Sequence, residues 1–158
     1  MKKPSYLIVD VDGGMTTGQF LYSEHGKTYK VFGAHDNDGI KLIKDKIKVI
    51  FITADKRGYS ISKKRIVDDM NQQLILVSEN ERLNFIDCKY GLNNVIYLGD
   101  GYHDAEIIKK CFYGIAPKNA RVEAKKAADY ITPSKSGEGA VLDACLHIIK
   151  LFFANNKG

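Results

Sequence analysis

Apolar residues in this chain gather in short unbroken runs rather than alternating with polar ones. Residues 6–9 (YLIV), 49–52 (VIFI), 74–77 (LILV), 95–98 (VIYL) and 113–116 (YGIA) are such runs. Runs of this length bounded by turn residues suit strands buried on both faces, as in a parallel sheet. Between them the spacing turns helical. Asp36 or Asp38 can cap a first helix carrying Ile40, Leu42 and Ile43. Further helices are expected over 60–71, 80–91, 105–111 and 120–128. The third has Leu83, Phe85, Ile86 and Tyr90 for its buried side, and the second exposes Lys63, Lys64 and Arg65. A closing helix over 140–154 turns Val141, Leu142, Cys145, Ile148 and Ile149 inward. A short strand at 128–133 stops at Pro133. Strands that alternate with helices imply βαβ units, hence an α/β chain whose mainly parallel sheet is covered on both faces. One segment breaks the pattern. Residues 19–22 and 27–32 flank Ser-Glu-His-Gly and read as a β-hairpin whose Gly26 takes φ > 0.

Composition narrows the class without naming a task. The chain has 158 residues and no repeat or Pro/Ser-rich linker, so residues 1–158 are expected to form one domain. No apolar run approaches the ~18 residues of a membrane span, and Asp10 and Asp12 interrupt the first apolar segment where a signal peptide would need it whole. A cytoplasmic protein with no membrane partner is expected. Net charge is +5, but the cationic residues are scattered along helices rather than interleaved with exposed aromatics. This suits solvated helix faces, and a field that attracts small anions, better than nucleic-acid binding. Cys88, Cys111 and Cys145 are far apart and form no metal-spaced pair, so they read as buried thiols in a reducing compartment.

The candidate chemistry lies at strand ends. The first run continues into Asp10 and Asp12 and then Gly13 and Gly14. The second ends in Thr53, and the fourth in Gly99 and Asp100, with Asp104 four residues on. In open α/β sheets ligands bind at the carboxyl ends of strands, so neighbouring strands would bring these side chains together. Carboxylates that crowd one another need a cation or a proton between them. Mg²⁺ favours a few carboxylate oxygens together with water and substrate phosphate. This points to magnesium-dependent phosphoryl transfer. One carboxylate would attack phosphorus, and a second would protonate the leaving oxygen and later deprotonate water. Backbone N–H groups near Gly13 and the Thr53 hydroxyl would hold phosphate oxygens. A phospho-accepting receiver domain would carry its Asp after the third strand, where this chain has Val77-Ser78.

The ordered set LIVDVDGGMTTG, FITAD, YLGDGYHDAE and SGEGAV resembles the haloacid dehalogenase superfamily. More narrowly, it resembles the small, nearly capless sugar-acid phosphatases that act on 3-deoxy-octulosonate 8-phosphate or on nonulosonate 9-phosphates. The resemblance implies a Rossmann-like three-layer sandwich with a hairpin flap at about 18–33, and a homotetramer. It implies Asp10 as nucleophile and Asp12 as general acid/base. It implies Thr53, Ala54 and Gly13 at the phosphate, Asp10, the Asp12 carbonyl and Asp100 on Mg²⁺, and Asp104 orienting the metal's water.

Several positions depart from that pattern. A lysine is expected before the third helix, and matching its lysine-leucine pair places Arg82 there. Arg82 takes over the phosphate role or is a solvated helix residue; the sequence leaves both open. Thr17, His35, Gly101 and His103 also differ from the family's usual residues. Such changes also suit an alternative: a weak or inactive domain serving oligomer assembly in a sialic-acid-type biosynthetic system. Ala54-Asp55-Lys56 resembles the acidic version of the loop after the second strand and leans toward a nine-carbon substrate. Asp55, Lys56 and Arg65 are therefore the candidate substrate residues, although Arg65 suits a solvated face better.

Overall fold

The structure, a computed structural model, describes residues 2–154. In chain order its strands are β1 (Tyr6–Asp10), β2 (Thr16–Ser23), β3 (Gly26–Phe32), β4 (Lys48–Thr53), β5 (Gln73–Leu76), β6 (Val95–Leu98), β7 (Tyr113–Ala116) and β8 (Tyr130–Ile131). The helices are α1 (Asp36–Ile43), α2 (Tyr59–Lys63, continued in wider turns over Lys64–Asp69), α3 (Glu79–Tyr90), α4 (Asp104–Lys110), α5 (Val122–Ala127) and α6 (Ala140–Ile148, continued over Ile149–Phe153). Six strands form one sheet in the order β5-β4-β1-β6-β7-β8, every pair parallel. β1 therefore lies between β4 and β6, where the strand order reverses and such sheets open a crevice.

Strand parity sorts the core into two layers. Successive side chains point to opposite faces. Leu7, Val9, Phe51, Ile96 and Leu98 pack with Ile40 and Ile43 of α1, Ile66 of α2, and Val141, Ala144 and Ile148 of α6. Ile8, Ile50, Ile52 and Tyr97 pack on the other face with Ile86 of α3, Ile107 and Ile108 of α4, and Ala124 of α5. Leu7, Ile8 and Val9 have no exposed surface at all, the burial expected of a central parallel strand. The three-layer Rossmann-like α/β architecture is as expected. No helix among the described residues is long and apolar enough to cross a membrane.

The hairpin is a separate two-stranded antiparallel ribbon, β2 with β3, closing over Glu24-His25 with Gly26 at φ 107°. It starts at Thr16, three residues before the apolar alternation, and both of its faces are largely exposed. Its base is clamped by the Ser134–Gly139 segment. A Cβ on Gly137 (φ 70°) would sit 2.6 Å from the Thr17 nitrogen, and one on Gly33 2.1 Å from the Gly137 oxygen. Only glycine permits this approach of two backbones.

Three local expectations need correction. Asp36 does not cap α1, whose preceding residue, His35, makes no side-chain cap bond. Its buried carboxylate instead accepts the N–H groups of Val141 (3.0 Å) and Leu142 (3.4 Å), capping α6 more than a hundred residues away. Cys88 is exposed and Cys111 half-buried, so Cys145 alone is a buried thiol; Cys88 follows the outer face of α3. On α3 the fully buried positions are Arg82, Ile86 and Tyr90, a four-residue spacing, while Leu83 and Phe85 are half-buried.

Candidate active site

Asp10 is the last residue of β1 and shares the parity of Ile8, so its side chain leaves the sheet on the α3/α4 side. There it meets Arg82 from the first turns of α3. Arg82 Nη1 donates to Asp10 Oδ1 (3.0 Å), Asp104 Oδ1 (3.2 Å) and the Tyr97 hydroxyl (3.1 Å). The Tyr97 hydroxyl in turn donates to Asp104 Oδ1 (2.5 Å). Asp104 Oδ2 accepts the Asp100 and Gly101 amides at 3.1 and 2.9 Å, so both Asp104 oxygens are committed to protein donors. Carboxylate oxygens of Asp10, Asp100 and Asp104 lie within 4.8 Å of one another. Gly13 permits this approach: a Cβ there would fall 1.9 Å from Asp100 Oδ2.

Protonation equilibria register the crowding. Burial, then the neighbouring Asp104 charge, holds the Asp10 carboxyl well above the ordinary range, with Arg82 opposing. Burial and Asp104 likewise raise Asp100 to about 6. Burial works against the Arg82 charge, but Tyr97, Asp10 and Asp104 together hold it above its ordinary value. Each shift reports negative charge confined without enough positive charge beside it.

Asp12 belongs to the turn after β1 and points toward the flap. Lys30 of β3, fully buried, reaches Asp12 Oδ1 at 2.8 Å, Asp55 Oδ2 at 2.9 Å and Ser62 Oγ at 2.8 Å. Thr53 Oγ1 donates to Asp12 Oδ2 at 3.3 Å and accepts the Asp55 amide at 3.1 Å. Lys27, also on β3, lies 2.6 Å from Asp55 Oδ2. Burial raises the Asp55 pKa, but the hydrogen bonds from Lys27 and Lys30 outweigh it and bring it down to about 2.

A cleft of about 460 Å³ opens over this cluster, lined by Asp10, Asp12, Ala54, Asp55, Arg82, Asp100 and Asp104. Phe20 and Lys27 of the flap and Ser78, Tyr102 and His103 on the opposite rim complete its wall. The structure thus brings together the acids of three strand ends, Thr53 and Arg82. Arg82 is buried and ion-paired rather than solvated. The Gly13 amide, expected to face phosphate, donates instead to Thr16 Oγ1 (3.2 Å). Of the three substrate candidates Asp55 alone lines the cleft. Lys56 borders a neighbouring, more apolar groove with Leu76, Phe85 and Cys88, and Arg65 lines neither. Sequence reasoning missed Lys27, Lys30 and Tyr97. Tyr97 was discoverable as the one polar-tipped residue in an otherwise aliphatic run; the two lysines looked like any exposed hairpin cations.

Five carboxylates (Asp10, Asp12, Asp55, Asp100, Asp104) face three cationic groups (Lys27, Lys30, Arg82) across this network. The deficit of two charges is what one divalent cation supplies, and the oxygen-only donor set fits Mg²⁺.

Comparison with known proteins agrees with this geometry. The family described as haloacid dehalogenase-like hydrolase matches residues 20–144. The 3-deoxy-D-manno-octulosonate 8-phosphate phosphatase of Salmonella typhi is 30% identical over 149 residues, covering 88% of this chain and 76% of the relative. The Haemophilus influenzae enzyme of the same name is 30% identical over 141 residues, covering 85% and 77%. Among solved structures, the Moraxella catarrhalis octulosonate 8-phosphate phosphatase, in complex with magnesium, phosphate and the sugar acid, superposes with TM-score 0.80 at 25% identity, covering 93% of this chain and 86% of that one. The cobalt-bound Haemophilus influenzae phosphatase does so with TM-score 0.80 at 25% identity, covering 94% and 88%. Fold, strand-end carboxylates and family match coincide: the chain belongs to the haloacid dehalogenase-like hydrolases.

Proposed function

We propose that this protein is a Mg²⁺-dependent phosphatase that hydrolyses the phosphate ester of an eight- or nine-carbon 3-deoxy-2-ulosonate through an aspartyl-phosphate. The observation that carries the reading is the convergence of the Asp10, Asp100 and Asp104 carboxylates to within 4.8 Å beside Asp12 and Thr53. Asp10, the Asp12 carbonyl and Asp100 would hold the ion, while Asp104, its oxygens already taken by Tyr97, Arg82 and two amides, orients the ion's surroundings. When bound, Mg²⁺ offsets the charge of the phosphoryl group and the acids around it.

The protein's own groups carry the bond changes. An Asp10 oxygen attacks phosphorus, and the P–O bond to the sugar breaks as Asp12 donates a proton to the departing oxygen. Asp12 then takes a proton from water, whose oxygen attacks the aspartyl-phosphate, releasing inorganic phosphate and restoring Asp10. Thr53, Ala54 and Arg82, whose buried Nε carries no protein hydrogen bond, hold the phosphoryl oxygens. The names of the relatives favour an eight-carbon substrate over the nine-carbon lean of Ala54-Asp55-Lys56, and they favour catalysis over a purely assembling role. The exposed apolar flap supports a homotetramer, and the absence of a membrane-spanning helix among the described residues is consistent with a cytoplasmic site of action. The test is phosphate release from 3-deoxy-D-manno-octulosonate 8-phosphate. We expect it to require Mg²⁺ and to fall by about three orders of magnitude or more in Asp10→Asn. Turnover that survives both chelation and the substitution would reject the mechanism.

A further inference from the structure

Beyond the phosphoryl end, the cleft wall carries a charged cluster that the mechanism above does not use. Lys27 Nζ lies 2.6 Å from Asp55 Oδ2 and 3.6 Å from the centre of the Phe20 ring, and its side chain is only 7% exposed although it lines the cleft. Resting on the sugar-acid reading, we propose that Lys27 recognises the carboxylate of the substrate and that Asp55 positions it.

Asp55 is poorly placed to bind a ligand itself. Its Oδ1 accepts the Gly58 amide (3.1 Å), and its Oδ2 takes both Lys27 and Lys30. An ammonium, by contrast, has three N–H donors. Lys27 directs one at Asp55 and lays its charge against Phe20, which leaves donor capacity for the cleft. Other cations are otherwise engaged. Arg82 belongs to the phosphoryl end, its Nη1 held by Asp10, Asp104 and Tyr97, and His103 pairs with Glu79 at 3.2 Å. Lys30 lies behind the wall rather than in it.

The cluster is built rather than incidental. A Cβ on Gly58 would fall 2.3 Å from Asp55 Oδ2, 2.7 Å from Lys30 Cε and 2.9 Å from Lys27 Cδ, so the glycine makes room for all three charged side chains. Two side chains, Asp55 and Lys30, intervene between Lys27 and the acid/base Asp12. Contacts of 2.6, 2.9 and 2.8 Å link Lys27 to Asp55, Asp55 to Lys30 and Lys30 to Asp12. A substrate with a phosphate at one end and a carboxylate at the other needs a second cation set apart from the first; a simple phosphate ester does not.

The experiment compares kcat/KM for 3-deoxy-D-manno-octulosonate 8-phosphate with that for arabinose 5-phosphate, which shares the phosphorylated end and lacks the carboxylate. Both are measured with Mg²⁺ for the wild type, Lys27→Met, Lys27→Arg and Asp55→Asn. The ratio within one preparation is insensitive to the fraction folded. We expect the preference for the acid substrate to fall about tenfold or more in Lys27→Met, through KM rather than kcat. Lys27→Arg should hold it within about threefold, because the charge is kept, and Asp55→Asn should lower it by an intermediate factor. A preference that persists in Lys27→Met overturns the inference alone. A wild type without any preference overturns the sugar-acid reading, and this inference with it.

Discussion

Arg82 shows how a single residue depends on its surroundings for its meaning. In sequence it is one of many cations on a helix with polar neighbours; in the structure it is buried and bridges Asp10, Asp104 and Tyr97. Its placement was partly legible. Ile86 and Tyr90 lie four and eight residues on, so the stripe they define passes through position 82. A cation within such a stripe carries no local mark of burial, because the partners that compensate its charge come from other elements. Removing one member of a buried ion-paired group leaves the remaining charges uncompensated. Arg82→Met is therefore expected to lose about 3–5 kcal/mol of stability in urea unfolding without Mg²⁺, and to lose most turnover. Arg82→Lys keeps the charge but gives up the planar fork. It should retain turnover within about tenfold, a figure of the size one charge-assisted hydrogen bond allows.

At the scale of elements, propensity and tertiary context part company at Asp36. Its type and its place before an apolar stretch mark a helix cap, and it is one, but for α6 rather than α1. The α6 N-terminus follows Gly139 (φ 114°), whose backbone leaves no side chain of its own to cap the helix. A buried carboxylate from elsewhere meets the free N–H groups instead. Asp36→Ala should therefore cost about 1–2 kcal/mol in urea unfolding while leaving kcat near the wild-type value. The hydrogen bonds of Asp36 go to Val141 and Leu142, outside the cleft, so a comparable loss of turnover would show that the α6 terminus also shapes the site. Within the Ser134–Gly139 segment, Gly137 is the contact that fastens the flap.

For the whole molecule, the flap is the feature that a lone chain leaves unexplained. Tyr22 and Tyr29 are 62% and 63% exposed, and Leu21 and Val31 are also open to solvent. Neighbouring apolar side chains on one ribbon mark an association surface more often than an idle one. They lie outside both core clusters. If the proposed homotetramer forms through this ribbon, Leu21→Asp with Tyr29→Asp lowers the solution mass, measured by light scattering, toward that of a monomer while the circular dichroism of the sheet and helices persists. The same flap brings Lys27 to the cleft wall and Lys30 behind it, so the proposed assembly surface and the proposed carboxylate contact share one element.

The succession of apolar runs, glycines and strand-end acids was enough to establish an α/β sheet and to mark Asp10, Asp12, Thr53 and Asp100 as its chemical edge. These signals are local: an apolar run marks a strand even at the sheet edge, where β5 leaves Leu76 40% exposed, and an acid after a run lies at the strand's carboxyl end. Only the folded chain decided that Arg82 turns inward, that Lys30 joins Asp12 to Asp55, and that Asp36 serves a distant helix. Those outcomes depend on which cation lies nearest to which buried carboxylate. That is set by desolvation and strand order together, and neither is written in any one stretch of sequence.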